Sequence, residues 1–187
     1  MINKHYAGIF GALVVAAVFS APGNAQQGVE AKLQICSSCH GAEGRPISPG
    51  IPIIWGQTEY FLTKQLHDYI SGDRESPIMS SLAKTLTQPE LRPAAKYFSA
   101  KQWPAKTAQA SAPAAPEGIA LCQICHQQGF VGGLPAPRLA GQSYEYLLDA
   151  MKSFADGRRT NSEDMMKVMQ GLQPAQMEAM ARYISSL

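Results

Sequence analysis

The chain has 187 residues, enough for one medium domain or two small ones, and a formal net charge of +2. That balance argues against a nucleic-acid footprint, which needs clustered lysines and arginines. It also argues against one large single-sign field that steers partners from a distance.

The N-terminal stretch reads as a secretory signal peptide. Lys4 and His5 form a short basic start, Ala7 to Ala21 is almost wholly apolar, and Gly23, Asn24 and Ala25 offer small residues at a cleavage site. The apolar run is shorter than the roughly 20 residues that span a bilayer. Cleavage after Ala25 removes one lysine and no acid, so the mature chain begins at Gln26 with a formal charge of +1. No later stretch is apolar enough to cross a membrane, so the expected location is outside the cytoplasm.

The next landmark is Cys36-Ser-Ser-Cys39-His40, repeated as Cys122-Gln-Ile-Cys125-His126. C-x-x-C-H is the attachment sequence for c-type haem. Two residues between the thiols let one helical turn reach both porphyrin vinyl groups, and the following imidazole becomes the proximal iron ligand. These motifs use all four cysteines. One zinc ion held by four thiolates is the rival reading. Paired zinc knuckles usually lie roughly 15–20 residues apart, whereas 82 residues separate Cys39 from Cys122. Zinc also gives no reason for a histidine after each pair. A redox dithiol would need a βαβ context, and none is readable. Two structural disulfides are a further alternative in an exported chain.

The two halves form a tandem repeat. Cys36 matches Cys122 and His40 matches His126 at an offset of 86. Pro52 to Gln57 (P-I-I-W-G-Q) then answers Pro137 to Gln142 (P-R-L-A-G-Q) at 85, and Gly72-Asp-Arg74 answers Gly157-Arg-Arg159. The offset returns to 86 for Met79 with Met165, Leu86 with Leu172 and Tyr97 with Tyr183. Each copy is therefore expected to hold one haem.

The patterning is helical throughout. A helix has room from about Gly28 to Cys36. Thr58 and Ser143 stand at N-cap positions, and Leu62, Leu66 and Tyr69, like Leu147, Met151 and Phe154, recur at helical spacing. Gly72 and Gly157 read as C-terminal stops. Thr87 and Glu90 fit a capping box that opens a helix through Phe98. The matching helix, Gln173 to Ser186, gathers Met177, Met180, Ala181 and Ile184 on one face. No alternating strand pattern occurs. Residues 101–116, rich in Ala, Pro, Gln and Lys, read as a linker. Only Glu117 to Leu121 lie between its prolines and the second motif, so the second opening helix is expected to be truncated.

Histidine with methionine is a common axial pair in c-type cytochromes. Met79 and Met165 each lie 39 residues after their histidine, and Met79 is the only methionine of the first copy. They are the expected distal ligands. Met166 breaks the register by one, and Met151, Met169, Met177 and Met180 read as core filling. His67 reads as an ordinary helix residue rather than a sixth ligand, because the second copy has Lys152 there. A proximal histidine usually donates its other ring hydrogen to a carbonyl or carboxylate, and the carbonyls of Pro52 and Pro137 are the candidates.

With these residues in place, the chain resembles the dihaem cytochrome c4 family. The resemblance rests most specifically on Pro137 to Gln142, Gly157 to Asn161 (G-R-R-T-N) and Tyr183 to Leu187 (Y-I-S-S-L). In the first copy it rests on Ser76 to Met79 (S-P-I-M) and Lys96 to Phe98 (K-Y-F). It implies an all-α fold of two tandem class I cytochrome c domains, 26–100 and 117–187, facing each other about a pseudo-twofold axis. Each domain would be wrapped around one covalent haem c. It also implies a periplasmic electron carrier, not an enzyme, between a quinol-oxidising complex and a terminal oxidase or reductase. Alternatives are a cytochrome subunit of a periplasmic dehydrogenase, such as a flavocytochrome that oxidises sulfide, and a dihaem peroxidase or thiosulfate-oxidising enzyme. Enzyme chemistry wants an open iron, whereas both copies supply a methionine. Two features depart from the family: Gln127 follows His126 where glycine is usual, and the linker with its following helix is short.

Overall fold

The structure is a computed structural model that describes residues 1, 23–104 and 113–187, with side chains of the first helix from Gly28 onward. The signal-peptide reading and the middle of the linker lie outside the described residues. Among those described there are eight α-helices and no strand. None of the helices is long and apolar enough to cross a membrane.

In the first half, α1 (Gly23–His40), α2 (Glu59–Ser71), α3 (Pro77–Ala83) and α4 (Gln88–Ser99) pack with α4 against both α1 and α2. Val29 and Leu33 of α1 meet Leu62 of α2 and Ala94, Ala95 and Phe98 of α4 in one buried cluster. In the second half, α5 (Ile119–His126), α6 (Tyr144–Ala155), α7 (Glu163–Gln170) and α8 (Pro174–Ser186) repeat the plan, with α6 against α7 and α8. Leu147, Met151 and Phe154 of α6 close on Met177, Met180, Ala181 and Ile184 of α8. The apolar stripes read from the sequence are the stripes that are buried. Full burial of a Leu or Ile side chain is worth about 1.5–3 kcal/mol, so these clusters hold the helices in place. The opening helices differ as expected: α1 runs 18 residues and α5 only 8.

Capping follows the local sequence. The hydroxyls of Thr58 and Ser143 accept from the backbone N–H groups of Phe61 and Tyr146 at the starts of α2 and α6. Gly72 ends α2 in the left-handed conformation, φ 92°. Gly157 does not end α6. That helix stops at Ala155 with Asp156 as its cap, and Gly157 (φ 74°) turns the chain one residue later.

The loop after each haem motif is pinned by the last helix of its own half. Gly56 N–H donates to Phe98 O (2.9 Å), and Gly141 N–H donates to Ile184 O (3.2 Å). A side chain at Gly56 would meet the Trp103 backbone at 2.9 Å, so this approach requires glycine.

Candidate haem-binding site

A single cavity of about 1960 Å³ runs through both halves. Cys36, Cys39, His40 and Met79 line it in the first half, and Cys122, Cys125, His126 and Met165 line it in the second. Met166 is not among its lining residues, although it packs on the neighbouring core. His67 stands on the exposed face of α2 and does not line the cavity.

Both motifs end their helices, so each histidine is the last residue of α1 or α5. His40 Nδ1 lies 2.8 Å from Pro52 O, and His126 Nδ1 lies 2.9 Å from Pro137 O. A carbonyl can only accept, so Nδ1 carries the hydrogen and Nε2 keeps its lone pair. Burial lowers both imidazole pKa values and the carbonyls partly oppose that shift, so the rings are held neutral. A neutral ring with a free Nε2 is what iron ligation requires.

The methionines are held just as locally. Ser76 caps α3 and its hydroxyl accepts from Met79 N–H (3.2 Å), while Ser162 caps α7 and accepts from Met165 N–H (3.4 Å). Each thioether therefore stands on the first turn of a capped helix. Neither serine is read as a cap from the sequence above, yet S-x-x-M occurs at both sites and is legible as a cap three residues before the methionine.

All four cysteines are free, and among the described residues they gather with no other groups into a metal cluster. Burial pushes the Cys36 and Cys122 thiols up, with repulsion from Cys39 and Cys125 adding to it.

Between the halves lies a polar seam that sequence periodicity could not reveal. Gln65 Oε1 accepts from Arg74 Nη1 (2.7 Å), Arg159 Nη2 (2.8 Å) and Asn161 Nδ2 (3.0 Å). Lys64 Nζ donates to Asp68 Oδ2 (2.6 Å) and to Asn161 O (3.1 Å). Arg74 Nη2 also reaches Tyr146 Oη at 3.3 Å. Burial raises the Tyr146 pKa, but the Arg74 and Arg159 guanidiniums outweigh it and bring the phenol down to about 8. Burial pulls Arg159 below its usual value. Both arginines line the cavity.

The donor set fits two c-type haems. Each half offers two thiols for the vinyl groups, a neutral imidazole and a thioether along the same cavity, and the arginines there could meet anionic carboxylates of a porphyrin. The residues present fit covalently attached haem rather than zinc.

Comparison with known proteins agrees. The family model for cytochrome c matches residues 119–187. Cytochrome c4 of Pseudomonas aeruginosa is 33% identical over 183 residues, covering 91% of this chain and 90% of that one. The thiosulfate dehydrogenase electron acceptor of Thiomonas intermedia is 32% identical, covering 81% and 77%. The structure of cytochrome c4 from Acidithiobacillus ferrooxidans superposes with a TM-score of 0.74 at 29% identity, covering 82% of this chain and 99% of that one. With tandem all-α halves, two complete attachment motifs and a cytochrome c4 relative at 33% identity matched over 90% of its length, the chain belongs to the cytochrome c4 family of dihaem c-type cytochromes.

Proposed function

We propose that this cytochrome is a periplasmic one-electron carrier that accepts electrons from a quinol-oxidising complex and passes them to a terminal oxidase or reductase. Residues 1–25 are its export signal, 26–100 and 117–187 its two haem domains, and 101–116 the linker between them. Cys36 and Cys39, like Cys122 and Cys125, form the thioether bonds. His40 with Met79 ligates one iron and His126 with Met165 the other, and Pro52 and Pro137 hold the histidines. When bound, each haem supplies a reversible ferrous–ferric couple.

The observation that carries the reading is the symmetric placement of one histidine and one methionine per half along the same cavity. A histidine and a methionine from the chain on each haem would leave no coordination site for a substrate, which suits electron transfer rather than turnover. Methionine ligation raises the potential, and burial adjusts it further. Contacts with redox partners are expected to be small and transient.

A second reading is favoured by one specific finding. A relative at 32% identity is named as the electron acceptor of a thiosulfate dehydrogenase. In this reading the chain takes electrons from a periplasmic dehydrogenase of that kind, without itself oxidising thiosulfate.

Purified, haem-loaded protein tests these assignments. Met165→Ala should lose the near-infrared band of sulfur-to-ferric-haem ligation at one haem and lower its potential, whereas Met166→Ala should leave both unchanged. The opposite pattern moves the ligand to Met166. Reduction by thiosulfate only in the presence of a thiosulfate dehydrogenase supports the second reading. Steady-state turnover of thiosulfate or peroxide by the protein alone overturns the carrier.

A further inference from the structure

Two glutamines join the halves by reciprocal, two-point hydrogen bonds. Gln57 accepts from Arg138 N–H (2.8 Å) and donates to Arg138 O (2.9 Å). Gln142 accepts from Ile53 N–H (2.9 Å) and donates to Ile53 O (3.0 Å). Both are almost wholly buried, at 4% and 3% exposure, so bulk water does not compete for these bonds.

The residues they grip immediately follow the two prolines. Pro52 C=O and Ile53 N–H belong to one peptide unit, which is planar. Its oxygen accepts from His40 and its nitrogen donates to Gln142 of the other half. Likewise the Pro137–Arg138 unit accepts from His126 and donates to Gln57. Fixing the N–H end of a rigid plane fixes its carbonyl end. A hydrogen bond on the N–H also polarises the carbonyl and strengthens it as an acceptor, by something like 10–30%.

We infer that Gln57 and Gln142 are positioning residues that act across the domain boundary, each tuning the proximal histidine of the opposite domain through one shared peptide plane. The inference rests on the proposed ligation by His40 and His126. A stronger acceptor on Nδ1–H makes the imidazole more basic, which favours the ferric state and lowers the potential. Loss of Gln57 therefore raises the potential of the second haem, and loss of Gln142 raises that of the first.

The test uses the full-length dihaem protein. The two potentials are measured by spectroelectrochemical titration, and each is assigned to its haem by the paramagnetically shifted NMR resonances of its ligands. Gln57→Ala should raise the second haem's potential and speed exchange of the His126 Nδ1 proton while leaving the first haem unmoved, and Gln142→Ala should do the reverse. Gln57→Glu, measured at a pH where its buried carboxyl is protonated, keeps an oxygen for Arg138 N–H and an O–H for Arg138 O and should show no such rise, which guards against an alanine variant that merely parts the domains. A shift confined to the variant's own domain, equal shifts in both haems, or no shift overturns the inference. Wild-type protein lacking two sulfur-ligated haems would instead overturn the ligation on which it rests.

Discussion

At Gln127 the chain keeps a side chain where the backbone favours none. The residue sits at φ 63°, ψ 163°, a region populated almost only by glycine, and its counterpart Gly41 lies at φ 89°. Such a conformation costs a non-glycine residue of order 1–3 kcal/mol, partly offset because glycine loses about 0.5–1 kcal/mol more on folding. Gln127→Gly should therefore stabilise the second domain by about 1 kcal/mol, seen as a higher denaturant midpoint with the haem spectrum unchanged. The converse change should be harmful, because a Cβ on Gly41 would lie 2.1 Å from Arg45 O. The family departure noted in the sequence is thus a point of backbone strain directly beside His126.

At the scale of elements, α4 is fastened to α1 by one carboxylate. Glu90 Oε2 accepts from Thr87 N–H (2.7 Å) and the Thr87 hydroxyl (2.9 Å), completing the capping box, and pairs with Lys32 Nζ at 2.7 Å. Lys32 and these Thr87 bonds hold the Glu90 pKa down to about 2. A carboxylate whose pKa is depressed on folding adds stability above its unfolded value, roughly 4.3. That stability is lost as pH falls from there towards 2. Wild-type protein should lose stability in that window, and Glu90→Gln should flatten this part of the profile, as measured by chemical denaturation across pH. The second copy has Gln176 in the same place, donating no charge but accepting from Gln173 N–H at 2.8 Å, so its capping box should not titrate there.

For the whole molecule, the seam decides whether two small domains behave as one. Gln65 is the common acceptor for Arg74 of its own half and for Arg159 and Asn161 of the other. Gln65→Leu takes this acceptor from the buried Arg159 guanidinium, and an unmet buried donor costs about 1–3 kcal/mol. The expected result is a calorimetric trace in which a single cooperative transition separates into two. A single unshifted transition would show that the halves hold together without this shared acceptor.

The sequence by itself determined the attachment motifs and the 86-residue repeat, and equal spacing singled out Met79 and Met165 as the proposed distal ligands. Covalent attachment works through adjacent residues, and duplication prints the same distances twice, so both are readable along the chain. Helix caps at Thr58, Ser143 and Thr87 were legible for the same reason, since a cap is satisfied within three residues. Only the tertiary structure decided what Gln57 and Gln142 do, because their partners lie 81 and 89 residues away and are backbone groups with no residue signature. The seam of Gln65 and Tyr146 on helices with Arg74, Arg159 and Asn161 on loops was equally silent, since a polar residue in either setting reads as solvent-facing until another domain covers it. Gly157 shows the same limit at short range, for a glycine marks that the chain can turn while the packing of α6 sets where the helix ends.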